Sequence, residues 1–172
     1  AYALLGTIQV DYGLSETQLS QLAIGVALTA ALGCVLGGVL GDKLGVKRVV
    51  VTGYLLTTLP TLFLAYQISA VGLSNIAMPV FVATILAHSL LFGMAFAVRV
   101  AIFMGMTNPL VAATQFTAYM ALSNVAISVG NFWQGMVAER FDYSTALYID
   151  SALVILPLCV IPFLEDRRPS SA

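Results

Sequence analysis

Apolar residues run through this chain in long blocks, and polar residues collect in short breaks between them. A helix that crosses a bilayer needs about 20 predominantly apolar residues, so each block can be read against that length. The blocks are too long and too continuous for the alternating pattern of membrane barrel strands. Every block is therefore expected to be a helix.

The first block, AYALLGTIQV, is short and ends at Asp11, Tyr12 and Gly13, where Gly13 suits a left-handed helix stop. The chain opens without Met inside this block, which reads as a helix cut partway through, a partial span over 1–12. Ser15 then offers an N-cap, and Gln18 three residues later completes a capping box. Glu16 sits in the first turn, where the helix dipole favours negative charge. The spacing predicts a span over 16–41 and another over 49–66, with Pro60 as an expected kink. After the uncharged stretch QISAVGLSN, a long span is expected over 76–105, capped by Asn75 with Pro79 in its first turn. Asn108 and Pro109 read as the next cap and first helical position, opening a span over 109–137. The loop AERFDYS leads to a last span over 145–164, interrupted by Pro157 and Pro162, and to a tail over 165–172. The expectation is five full spans and one partial span in a single all-α membrane domain.

Composition makes lipid the expected solvent. The chain is 60% hydrophobic and only 9% charged, against about 25% charged in an ordinary soluble domain. A net charge of -1 argues against a nucleic-acid partner held by phosphate neutralisation. Cys34 and Cys159 lie inside apolar runs and read as small core residues. No cofactor or metal cluster is expected.

Charge also suggests an orientation. Alternating spans put Lys43, Lys47 and Arg48 on the side of the tail carrying Arg167 and Arg168, with Arg99 toward it. The opposite side holds Arg140 among Asp11, Glu16, Glu139 and Asp142. Lys and Arg gather on the cytoplasmic side, so the Lys43–Arg48 loop and the C-terminus are expected in the cytoplasm of a cell with this chain in its inner membrane.

Gly38, Asp42, Lys43, Gly45, Lys47 and Arg48 together resemble the signature loop of the major facilitator superfamily. The stretch FMGMTNPLVAATQFTAYMALSNVAISVGNFWQG resembles the eleventh helix of a branch that includes muropeptide permeases and acetyl-CoA transporters. DYGLSETQLSQLAIGVALTAALGCVLGGVLGDKLG resembles the end of helix seven and helix eight of that branch. The resemblance implies the C-terminal six-helix half of a twelve-helix bundle, although the signature loop is better formed here than is usual for that half. It implies an all-α transporter of a polar or anionic, muropeptide-like solute, proton-coupled, working by alternating access. The loop would be a latch between halves. The expected partners are lipid, the solute, protons, and the missing N-terminal half or a second copy. Competing readings are a non-transporting receptor or assembly subunit and an intramembrane enzyme. The second is disfavoured by a single His and the lack of a closely spaced carboxylate pair or metal-ligand cluster.

Two stripes and several ionisable residues are the candidates for chemistry and packing. Gly25, Thr29, Gly33, Gly37 and Gly41 recur every four residues and form a small-residue seam. Thr114, Thr117, Ala121, Asn124, Ser128 and Asn131 form a polar stripe flanked by Gln115 and Gln134, expected to face another helix or a wet cavity. Arg99 is either an interface anchor or a binder of an anionic solute. His88 either relays protons or bonds a neighbouring helix. Asp150 reads as a cap for the first turns of the last span. The cavity candidates are thus Arg99, Gln115, Asn124, Asn131 and His88.

Overall fold

The computed structural model of the protein describes residues 2–154 and 156, and every extended element among them is an α-helix. They are α1 (Tyr2–Asp11), α2 (Glu16–Leu44), α3 (Val46–Val71), α4 (Met78–Met106), α5 (Ala112–Arg140) and α6 (Tyr143–Leu153). The 29 residues of α2, α4 and α5 give about 43 Å at about 1.5 Å per residue, more than a hydrocarbon core of about 30 Å. Four helical segments among the described residues are long and apolar enough to cross a membrane: Glu16–Leu44, Val46–Val71, Met78–Met106 and Pro109–Arg140. The end of the expected last span, with Pro157, Cys159 and Pro162, and the tail with Arg167 and Arg168, lie outside the described residues.

Local chemistry explains most boundaries. Gly13 takes φ 89° and ends the α1 turn. The capping box at α2 is complete: Ser15 Oγ accepts from the Gln18 N–H at 3.3 Å, and Gln18 Oε1 accepts from the Ser15 N–H at 2.9 Å. The expected loop between the second and third spans shrinks to Gly45 alone, whose φ of 92° reverses the chain in one residue. Asp42 and Lys43 therefore belong to the last turn of α2, and Lys47 and Arg48 to the first turn of α3. Asn75 does not cap α4: its Nδ2 donates back to the Val71 carbonyl at 2.7 Å and closes α3 instead. Asn108 accepts from the Leu110 N–H at 3.1 Å and caps a short 3-10 turn, Pro109–Val111, that leads into α5. Asp150 is not a cap either. Asp142 fills that role for α6, accepting from the Thr145 N–H at 2.6 Å and from Ser144 Oγ at 3.1 Å.

The core of the bundle is the contact between α2 and α4, which run parallel. A Cβ built on Gly33 would meet the Leu90 carbonyl oxygen at 2.0 Å, one on Gly37 would meet the Met94 oxygen at 2.4 Å, and one on Gly93 would meet the Ala30 oxygen at 2.3 Å. Gly25 and Gly41 face Leu86 and Val98 on the same line. Only glycine admits such backbone approach, and close packing substitutes for the hydrophobic drive that lipid removes. α3 runs antiparallel behind α4, with Gly53 against Ala95, and continues as a helix through Pro60.

Two hydrogen bonds and one ring stack gather one end. Tyr12 stacks on Phe81 at 4.2 Å and donates its hydroxyl to the Ile76 carbonyl at 2.7 Å. The Tyr143 hydroxyl donates to the Asp11 carboxylate. The α1–α2, α3–α4 and α5–α6 links are thereby held together, and the Gly45 link and residues 107–111 fall at the opposite end. Leu5, Ile8, Leu64, Phe81 and Leu147 fill the core near the first end; Val49, Val50, Met94 and Val98 fill a second core near Gly45.

The outside is as apolar as the inside. Ile24, Leu28, Leu32, Val35 and Val39 stand exposed in one stripe along α2. Such a surface fits hydrocarbon, not water.

Candidate functional site

Between α1, α2 and α4 the helices leave a partly open cavity of about 520 Å³. Its walls are mostly small and apolar, with Ala27, Ala30 and Ala31 from α2. Polar character comes from Gln9 on α1, Cys34 on α2, and His88 and Ser89 on α4. A few convergent polar groups in an apolar wall are what a solute site requires. The alanines create the space, because the seam one face further round holds the α2 and α4 backbones together. Ser89 Oγ donates to the Val26 carbonyl at 2.8 Å, and Cys34 Sγ donates to the Gly93 carbonyl at 3.4 Å, so both pin the wall in place.

One face of α4 carries a continuous ladder of rings. His88 stacks on Phe92 with centroids 6.1 Å apart, Phe92 lies 6.3 Å from Phe96, and the Arg99 guanidinium sits over Phe96 at 5.0 Å. The first three line the cavity. Arg99 lies just beyond them, about 10 Å from the Met106 end of the helix. The Tyr54 hydroxyl lies beside its guanidinium, while its Nε is buried without a hydrogen-bond partner among the described residues. A half-buried Arg with an unmet in-plane donor is equipped to hold a carboxylate or phosphate.

The other sequence candidates lie elsewhere. Gln115 accepts from the Asn108 N–H at 2.6 Å and closes the turn before α5. Asn124 and Asn131, with Thr114, Thr117, Ala121 and Ser128, stand on an exposed face of α5, and no helix among the described residues covers that face. The reason is that α5 is held near its C-terminal end, where Gln134 is its one buried residue among those described. The hydroxyls of Thr117 and Ser128 bond to their own helix, at the Ala113 and Asn124 carbonyls. At the Gly45 end, Gly38, Asp42, Lys43 and Arg48 are exposed or open, and Lys47 is half-buried.

Sequence reasoning missed Gln9, Phe92 and Phe96, and the pairing of Gln134 with Asp150. The ladder had a signal: positions 88, 92, 96 and 99 share one helical face. Gln9 was a lone polar residue in an apolar run. The Gln134 Nε2 donates to Asp150 Oδ1 at 2.5 Å, across two helices, and no spacing announces such a pair.

A family model described as Major Facilitator Superfamily matches residues 1–172. No curated protein and no solved structure matches the chain.

Proposed function

Since the chain belongs to the Major Facilitator Superfamily, a family of membrane transporters, we propose that it is the C-terminal six-helix half of a proton-coupled importer. It is a multi-pass membrane protein whose surroundings are lipid and whose cargo is a small molecule. The proposed cargo is a polar or anionic solute of the muropeptide kind, carried across the inner membrane by alternating access. The observation that carries this reading is the α1–α2–α4 cavity, lined by the His88–Phe92–Phe96 ladder that ends on Arg99. Sugar and peptide faces stack on rings, and an acidic group pairs with a guanidinium. The muropeptide assignment is supported by the likeness of Phe103–Gly135 to the corresponding helix of that branch.

The proposed orientation puts the Gly45 end in the cytoplasm, because Lys43, Lys47 and Arg48 gather there. Asp42 at a helix C-terminus sits badly with the local dipole, so it is proposed to take its partner from the other half, as a latch. The exposed polar face of α5, with Asn124 and Asn131, is proposed to meet that half, or a second copy, across the solute path.

The test is uptake. The complete transporter, with both halves, is reconstituted in liposomes under an inward proton gradient and offered radiolabelled muropeptides and a panel of organic anions. Accumulation that an uncoupler abolishes supports the reading. Uptake of none of them, or uptake indifferent to the gradient, contradicts it.

A further inference from the structure

One polar group of the α1–α2–α4 cavity has unfinished bonding. His88 is 7% exposed and lines the cavity, about 15 Å from the start of α4 at about 1.5 Å per residue. Its contacts are a near-parallel stack on Phe92, with 11° between the planes, and an electrostatic interaction with Asp150 on α6. Neither ring nitrogen has a hydrogen-bond partner among the described residues. The polar groups beside it already have carbonyl acceptors: the Ser89 hydroxyl donates to Val26, and the Cys34 thiol to Gly93.

A buried polar group without a partner is costly and calls for an explanation. A neutral imidazole offers one donor and one acceptor, so a ligand group with adjacent N–H and C=O satisfies it in either tautomer. The walls set the rest of the ligand's character. Among the described residues no charged side chain lines the cavity, and Arg99 lies beyond Phe96. A charged group seated here would lose its hydration without gaining a counter-ion. Phe92 and Phe96 offer aromatic faces, on which flat rings pack. Ala27, Ala30 and Ala31 leave the room, and about 520 Å³ falls within the about 300–1,000 Å³ of small-molecule sites.

We propose that this cavity seats an uncharged planar heterocycle with adjacent N–H and C=O groups, its edge hydrogen-bonded to His88 and its face packed on Phe92. The chemistry is that of a lactam ring such as a pyrimidinone. His88 is the specificity-determining residue: its imidazole selects the edge, the phenylalanines select an aromatic face, and the uncharged walls disfavour an ionised ring. That the occupant is cargo rests on the importer reading above, in which an acidic part of the same solute reaches Arg99. The binding itself does not.

Ligand-observed NMR on the complete transporter in lipid nanodiscs, with empty nanodiscs subtracted, tests the site with four water-soluble probes. Uracil carries both face and edge. Dihydrouracil keeps the edge without the aromatic face, pyrimidine keeps the ring without the N–H and C=O, and orotate adds a carboxylate to uracil. Uracil is expected to bind saturably, and the other three at least about tenfold more weakly, the scale of one lost interaction. His88→Phe should lower uracil to the level of pyrimidine. Ala27→Leu, at an exposed lining position, should block uracil by filling the cavity, and it carries the test alone if gel filtration shows that His88→Phe fails to fold. Uracil that fails to saturate, that binds no more tightly than any one of the other three, or that keeps its affinity in either folded variant would overturn the proposal. Uracil binding of the expected pattern in a protein that imports nothing keeps the site and removes the importer; gradient-driven uptake with no uracil binding does the reverse.

Discussion

The Arg99 guanidinium lies over the Phe96 ring at 5.0 Å, with its Nε buried and without a hydrogen-bond partner among the described residues. An interface anchor would turn its charge to water; this one is turned to a ring at the end of a cavity. Arg99→Ala is expected to lower uptake by the complete transporter more than about tenfold, the scale of one lost charged hydrogen bond. Membrane insertion should be unchanged. Arg99→Lys should recover only part, because an ammonium lacks the planar fork. Uptake kinetics and membrane abundance of the three proteins check this together.

The α2–α4 seam sets a second expectation. A Cβ on Gly33 would stand 2.0 Å from the Leu90 carbonyl oxygen, which is backbone and cannot swing aside. Gly33→Leu should cost about 3 kcal/mol or more, the upper range for overpacking. Gly38 has open space around it, so Gly38→Ala should be neutral or stabilising by about 0.5–1 kcal/mol. Thermal unfolding in detergent distinguishes the two.

The small-residue spacing along α2 was readable from sequence because one helix carries all of it. Its partner was not: Gly93 and Leu90 come from a segment about sixty residues away, and helical period does not say which helices touch. The four long apolar helices among the described residues were legible for the same reason, since block length alone identifies them. Boundaries failed where a backbone could be satisfied in two ways, as at Asn75, which bonds backward to Val71. On α4 the residues His88 and Arg99 were noticed one at a time because charge draws attention, while Phe92 and Phe96 were lost in an apolar background.

Two groups at the start of α6 should respond to pH in opposite directions. The hydrogen bond to Asp11 holds the Tyr143 hydroxyl in its neutral form and pushes its pKa from 10.0 up to about 12. That tie is fully present below pH 10.0 and is lost as pH rises toward about 12. Hydrogen bonds from Thr145, then Ser144, hold the Asp142 carboxyl below its ordinary 3.8. The cap is present above that value and lost as pH falls through the depressed one. Tyr143→Phe should flatten the alkaline limb of a thermal-stability profile and leave the acid limb alone; Asp142→Asn should do the reverse.

Orientation has its own test. In a protein whose native cysteines are replaced by serine, Lys47→Cys should react with impermeant thiol reagents supplied from the cytoplasmic side of inverted vesicles and not from the outside of intact cells. Labelling only from outside would reverse the topology.

The most direct test of the solute path uses Cys34, whose thiol lines the cavity. In membranes carrying the complete transporter with Cys159→Ser, a small water-soluble cationic thiol reagent is applied, and modification is read by mass spectrometry. The account predicts that Cys34 reacts, that a transported solute slows the reaction, and that a cysteine replacing Leu28 on the exposed apolar stripe of a Cys34→Ser background stays unmodified. An inert Cys34 beside a reactive cysteine at position 28 would mean that water and solute pass on the other face of α2, and the account would be contradicted.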